Sequence, residues 1–436
     1  MNRTRRDFLA ASALAAGFSL AERTRLLADA VPGAPKLKND RARIGSIGLR
    51  YQGSVITEKA LPWGDVTAVC DVDRHVMEQA RASFGSLCAM HEDYRKLLDR
   101  KDVDVVMIGA PDHWHAKMAI DAMNAGKDVY LEKPLTLTIA EGTEIIKAAA
   151  RTKRVVQVGT WQRSDANFRR ACELVRSGGL GKTTKASVVL GKNKQGGPFE
   201  TAKAPSHFNW NLWQGQTPDV PYIPERTHYT FRWWLEYSGG QMTDWGAHHV
   251  DIALWGLGIE PKGKVVVSGK ADFVNVKDGY NVPANFAATL AFDDGRSIEI
   301  ADHGASGVTF HGDQGTLFVD RAKLTCKPTE LAATFSFHPE HYKLYAGEKR
   351  GPARIGKLAS LIDHMDNFFA CIRSRRDPIS DVTSQHRSVT ACHLVNIALR
   401  LGRPITWDLA AEKIIGDAEA ASMTAREQRK GFEVHG

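Results

Sequence analysis

The densest run of chemically capable side chains is Gly239-Gly240-Gln241-Met242-Thr243-Asp244-Trp245-Gly246-Ala247-His248-His249-Val250-Asp251. Asp244, His248 and Asp251 are spaced i, i+4 and i+7, which puts them on one face of a helix. A histidine with a carboxylate one turn away is a general base with an orienting partner. The carboxylate would also strengthen the imidazole's hold on an abstracted proton. Two His and two Asp could ligate a cation, but adjacent His248 and His249 diverge by about 100° on a helix, so no metal is assigned. A second group is Glu132-Lys133-Pro134, placed just after an apolar strand. A lysine there can polarise a substrate hydroxyl and stabilise the alkoxide that forms during hydride loss. A third is the run Gly45-Ser46-Ile47-Gly48-Leu49-Arg50-Tyr51-Gln52-Gly53. Glycines at the end of a strand let the chain turn tightly and aim backbone N–H groups at a pyrophosphate. Arg50 stands where the G-x-G-x-x-G pattern has its second glycine. Asp71, 23 residues beyond Gly48, closes the following strand, where a carboxylate can accept hydrogen bonds from an adenosine ribose. That carboxylate favours NAD over NADP, although Arg50 and Arg74 keep NADP in play.

The elements needed to position these groups are visible as a rhythm. Strands at 43–48, 66–70, 103–109, 128–131 and 155–159 alternate with helices at 115–125 and 139–152, which implies a parallel sheet of βαβ units. Pro111-Asp112-His113-Trp114-His115 and Glu132-Lys133-Pro134 then fall at carboxyl ends of strands, where open sheets bind ligands. Beyond residue 166 the rhythm changes. Strands at 185–191, 264–271, 285–292, 297–302, 308–312 and 315–320 follow without long helices between them, and helices return at 357–373 and 384–401. The expected architecture is α/β over residues 42–165, followed by an α+β domain over 166–436 built on a mostly antiparallel open sheet. The long, aromatic stretch 192–238 within the second domain is of the functional rather than the idle kind.

Composition bounds the rest. The chain has 436 residues, 43% hydrophobic, with a formal charge of +8. That is enough apolar material for two cores, and the scattered basic residues form no nucleic-acid stripe. The six cysteines show no CxxC pair and read as buried thiols. At the N-terminus, Thr4-Arg5-Arg6-Asp7-Phe8-Leu9 precedes an uncharged run to Ala21 and the small residues Ala28-Asp29-Ala30. Residues 1–30 read as a twin-arginine signal peptide and 31–41 as a linker. Such signals are addresses, not anchors, and the apolar run is too short for a permanent span. The expected location is periplasmic or secreted, with no membrane attachment after cleavage.

The glycine turn with Asp71, Glu132-Lys133-Pro134 and Asp244-x-Gly246-x-His248, in that order, resemble the glucose–fructose oxidoreductase / inositol dehydrogenase (Gfo/Idh/MocA) family over about residues 42–410. The resemblance implies a Rossmann domain holding NAD, hydride transfer from a sugar, glycoside or polyol, and a homo-oligomer formed on the open sheet; export of an already folded protein implies that the NAD stays tightly bound. It implies that Lys133 and His248 are catalytic, with Asp244 supporting His248. Cofactor contacts would come from Gly45, Gly48, Leu49, Arg50, Asp71, Pro111, His115, Glu132, Lys133 and Gln162. His115 would lie close to the nicotinamide ribose. Substrate contacts would come from Arg163, Asn193, Tyr237, Trp245 and His249. Sugar C–H faces stack on aromatic rings, and ten rings, Trp161, Trp210, Trp213, Tyr222, Tyr229, Phe231, Trp233, Trp234, Tyr237 and Trp245, offer them, half or more expected to be ordinary core. A second reading has the oxidation only transient: the ketone acidifies a neighbouring C–H, a glycosidic bond is eliminated and the hydride returns, for a net hydrolysis or elimination. A third, a non-catalytic sugar-binding protein, fits poorly with Lys133, Asp244 and His248 occurring together.

Overall fold

The computed structural model describes residues 41–333 and 357–434. The twin-arginine segment and residues 31–40 of the linker lie outside the described residues. Among the described residues no helix is long and apolar enough to cross a membrane.

The first half is β1 (Ala42–Ile47), α1 (Gln52–Ala60), β2 (Gly64–Cys70), α2 (Arg74–Phe84), β3 (Ala89–His91), β4 (Val105–Ile108), α3 (His115–Asn124), β5 (Asp128–Leu131), α4 (Ile139–Thr152) and β6 (Val156–Val158). These strands form one parallel sheet in the order β3-β2-β1-β4-β5-β6. Every residue of β4 and β5 is buried, because helices cover both faces. Successive side chains alternate between those faces: Val105 and Met107 enter one core, Val106 and Ile108 the other. The strand order reverses between β1 and β4. The crevice outside their carboxyl ends is where a doubly wound sheet binds ligands.

The second half continues with α5 (Ala166–Arg176), β7 (Thr183–Val189), α6 (Gln241–Asp244), α7 (Gly246–Leu257), β8 (Lys264–Asp272), β9 (Asn285–Phe292), β10 (Ser297–Ala301), β11 (Gly307–Gly312), β12 (Gly315–Val319), β13 (Leu324–Lys327), α8 (Lys357–Ser374), α9 (Val382–Leu401), β14 (Ile405–Asp408) and β15 (Lys413–Ile414). Its sheet runs β13-β12-β11-β7-β10-β9-β8-β14-β15. β7 and β10 pair in parallel and the other neighbours antiparallel. Strand β9 shows why one face is open. Phe286, Ala288, Leu290 and Phe292 point into the core with α5, α7 and α9, while the alternate positions include exposed ones. Asp381 caps α9 by accepting from the N–H groups of Thr383 and Ser384, and left-handed Gly402 ends it.

The domain boundary is less simple than a cut at residue 165. Helix α8 lies in the second half of the chain but packs Leu361, Met365, Phe368, Phe369 and Cys371 into the first domain's core. Phe369 stacks on Trp63 with ring centroids 5.4 Å apart. An amphipathic pattern shows that a helix has a buried face, not which sheet receives it. All six cysteines are buried free thiols.

Candidate active site

A cavity of about 370 Å³ opens at the β1–β4 crevice and runs to the start of α7. Its floor is made of strand ends: Gly48, Asp71, Pro111, Glu132 and Lys133 all line it. Its roof comes from the long aromatic segment, through Trp213, Tyr229, Phe231, Arg232 and Ser238.

At one end the glycine turn is assembled by close packing. Gly48 has φ +75°, and a Cβ there would come within 2.5 Å of the Ala110 nitrogen. A Cβ on Gly53 would meet the Gly48 carbonyl oxygen at 1.8 Å. Only glycine lets β1, α1 and the loop after β4 approach so closely. No side chain caps α1, so its N-terminal dipole faces the crevice uncompensated, as a pyrophosphate requires. Asp71 accepts from the Leu49 N–H at 2.8 Å and the Asp73 N–H at 2.9 Å. Burial nevertheless raises its carboxyl to about 6, against the lowering effect of those two bonds. Arg50 is ion-paired with fully buried Asp73, so its charge is already engaged. These groups fit a dinucleotide with its adenosine at Asp71. Nearby, Asp73, His75 and His207 bring possible ligand atoms within 4.8 Å of one another, but Asp73 already holds Arg50.

At the other end Lys133 Nζ hydrogen-bonds Asp244 Oδ1. Arg232 Nε lies 3.2 Å from the other carboxylate oxygen. Burial pushes the Asp244 carboxyl up, but Lys133 and Arg232 outweigh it and hold the group below its usual value. This corrects the expected partnership of Asp244 with His248. The helix pattern is interrupted: α6 ends at Asp244 and α7 starts at Gly246, so a single-helix face does not carry through. His248 instead stands between two indoles, its ring centroid 5.9 Å from that of Trp161 and 6.3 Å from that of Trp245. Burial, then the nearby charges of Arg321 and Lys133, hold its imidazole well below the ordinary value. It is neutral at neutral pH and can accept a proton. Asp112, on the wall with them, accepts from Ser238. Burial raises its carboxyl to about 7.

The structure gathers Gly48, Arg50, Asp71, Pro111, Glu132, Lys133, Asp244, Trp245 and His248 around this one cavity. It places the other expected contacts elsewhere. A Cβ on Gly45 would strike Leu97 at 2.7 Å, so this glycine serves strand packing. Leu49 is buried, its N–H donating to Asp71 and its carbonyl oxygen accepting from Ser54 Oγ. His115 is buried behind the wall, its ring nitrogens 2.5 Å from the Pro134 carbonyl and 2.9 Å from that of Ala110. It braces the two strand-end loops, and burial lowers it to about 4. Gln162 is fully buried outside the cavity. Arg163 makes a two-pronged ion pair with Asp251, at 2.8 and 2.6 Å. Asn193 ties loops together, donating to the Pro283 carbonyl and accepting from the Gln241 N–H. Tyr237 is fully buried, its hydroxyl 3.3 Å from Arg226. His249 is buried against Phe168 and Trp245. Of the ten aromatics, Trp161, Trp213, Tyr229, Phe231 and Trp245 line the cavity. Trp233, Trp234 and Tyr237 are buried in a separate cluster, with Trp210 and Tyr222 packed against it.

Sequence reasoning missed Arg321. It comes from the turn after β12 and lines the catalytic end. Its guanidinium carbon lies 4.4 Å from the Trp161 ring centroid and 4.2 Å from that of Trp245. In the sequence it is one charged residue in a hairpin turn, and no spacing marks it.

A family model described as "Oxidoreductase family, NAD-binding Rossmann fold" matches residues 43–160, and one described as "Oxidoreductase family, C-terminal alpha/beta domain" matches 191–434. An alpha-N-acetylgalactosaminidase from Shewanella oneidensis is 36% identical over 173 residues, 34% of this chain and 38% of the relative. A glycosyl hydrolase family 109 protein from Shewanella pealeana is 33% identical over 175 residues, 35% of this chain and 38% of the relative. The alignment thus spans well under half the length of those relatives. The crystal structure of an aldose–aldose oxidoreductase from Caulobacter crescentus superposes with a TM-score of 0.60 at 20% identity, covering 84% of this chain and 99% of that one. That likeness concerns the fold.

Proposed function

Because the chain belongs to the Gfo/Idh/MocA oxidoreductase family, with its NAD-binding Rossmann fold and C-terminal α/β domain, we propose that it oxidises a hydroxyl-bearing carbon of a sugar, glycoside or polyol, using NAD retained in the cavity. The observation that carries this reading is Lys133, paired with Asp244 beside a neutral, buried His248, in the same cavity as Asp71 and the glycine turn. When bound, NAD supplies the hydride acceptor. His248 takes the hydroxyl proton. Lys133, its charge held in place by Asp244, stabilises the oxygen as negative charge develops. Trp161 and Trp245 line this end of the cavity and exclude water from it. Asp71 supports NAD over NADP, since a 2′-phosphate would meet a carboxylate while Arg50 is engaged by Asp73.

A second reading is favoured by the names of the two Shewanella relatives: the oxidation is transient, and the net reaction cleaves a glycosidic bond without consuming cofactor. The twin-arginine motif belongs with it. An enzyme exported already folded around NAD would need to recycle its cofactor in place. Homo-oligomer formation on the exposed face of the second sheet is part of the same proposal. The test is to incubate the purified protein with a panel of glycosides and no added NAD, following absorbance of reduced nicotinamide and released sugar. One stoichiometric reduction supports the redox reading. Release over many turnovers supports the hydrolytic one. Neither signal with any sugar would sink both.

A further inference from the structure

We propose that the sugar accepted by this site carries an oxyanion substituent, a carboxylate as in a hexuronide or a sulfate ester, and that Arg321 receives it. The inference rests on the sugar-oxidising reading above and specifies its substrate class. Arg321 lies over two indoles, with its guanidinium carbon within 4.4 Å of both ring centroids. The same two rings flank His248. The guanidinium therefore stands next to the group that would take the substrate proton.

A guanidinium has five N–H donors and no acceptor. Among the described residues no carboxylate comes within ion-pair distance of Arg321, and its buried Nε has no hydrogen-bond partner. The surrounding carboxylates are otherwise occupied. Asp244 serves Lys133 and Arg232, Asp112 accepts from Ser238, and Glu132 accepts from Gln52 and from the Lys133 N–H. Cation–π contact holds the guanidinium over the rings but satisfies none of its N–H groups. Placing such a cation in a half-buried wall without an anion costs solvation. A planar carboxylate or a sulfate edge would restore it through two parallel charge-assisted bonds. A neutral sugar hydroxyl would not, since it brings no charge.

The protein as purified, with NAD in excess, should be titrated with matched sugars while the fluorescence of the indoles beside Arg321 is followed. The pairs are methyl hexuronides against methyl hexosides of gluco and galacto configuration, and N-acetylgalactosamine 6-sulfate against N-acetylgalactosamine. At least one acidic member is expected to bind about tenfold or more tightly than its neutral partner, the ratio expected for a charge-assisted pair. The preference should shrink as salt is raised and disappear in Arg321→Gln, with the NAD titration unchanged. Which pair discriminates tells carboxylate from sulfate. Equal binding within every pair, no saturable binding of any acidic member, or a preference that survives Arg321→Gln would overturn the proposal. If Arg321→Gln does not fold, the wild-type pairs and their salt dependence still decide. Turnover run in parallel separates the two readings. Neutral glycosides turned over with no acidic preference leave the oxidation and remove this inference. An Arg321-dependent acidic preference without turnover of any sugar does the reverse.

Discussion

Asp244 and Asp251 lie seven residues apart, one ending α6 and the other inside α7, yet they belong to opposite kinds of cluster. Asp251 is 1% exposed and meets Arg163 with both oxygens. Ser388 and Gln385 donate to it as well. One carboxylate balances one guanidinium, and the lone pairs are filled. Asp244 lies on the cavity wall between Lys133 and Arg232 with Arg321 close by. There the cations outnumber the close carboxylate partners, and donors are left over. A balanced, saturated pair holds a fold together. An unbalanced one, exposed to a cavity, is arranged for something that arrives.

If that distinction is right, the two clusters should fail differently. Asp251→Ala would leave Arg163 charged and buried, and should lower stability by about 3–5 kcal/mol, read as a shift of the guanidinium midpoint. Activity per folded molecule should change little. A folded, stable Asp251→Ala variant lacking activity would erase the contrast. Lys133→Ala should act the other way, cutting turnover about 10²–10³-fold through loss of one oxyanion donor, with little loss of stability and NAD still bound. Unchanged turnover on every substrate would remove Lys133 from the chemistry.

A pH-dependent effect concerns Asp112, whose buried carboxyl is raised from 3.8 to about 7. Between those values the folded protein keeps a proton that the unfolded chain releases. Rising pH therefore favours unfolding across that window, and the loss levels off above it. Asp112→Asn keeps an acceptor for Ser238 and removes the titration. The stability of wild type relative to the variant should fall with pH from about 4 to 7, by at most about 1.4 kcal/mol per pH unit. Parallel curves for the two proteins would show that Asp112 ionises as an ordinary surface carboxylate.

Much of this molecule was legible as pattern. The alternation of apolar strands and helices announced the parallel sheet, and the later change of rhythm announced the antiparallel one, because side-chain period follows backbone geometry. Strand ends could be read too, so Gly48, Asp71, Glu132 and Lys133 fell where a crevice ligand would lie. Spacing along a helix was less reliable. Asp244 and His248 were separated by the break at Trp245, and the nearest cation took the carboxylate instead. Arg163, Asn193, Tyr237 and His249 have the chemistry of sugar contacts, but each is consumed by a neighbour distant in sequence or buried in a core. Residue type tells what a side chain is able to do. Only the packed structure decides what it has already done with that capacity. Arg321 shows the converse: an unremarkable turn residue becomes, among the described residues, a cavity cation without a carboxylate partner, because the fold brings the turn after β12 against Trp161, which follows β6, and Trp245, which precedes α7. The sequence by itself determined the two sheets and the crevice chemistry, through local periodicity and strand-end position. The tertiary structure alone decided which charges cancel and which remain, since ion pairing depends on distances that no spacing along the chain encodes.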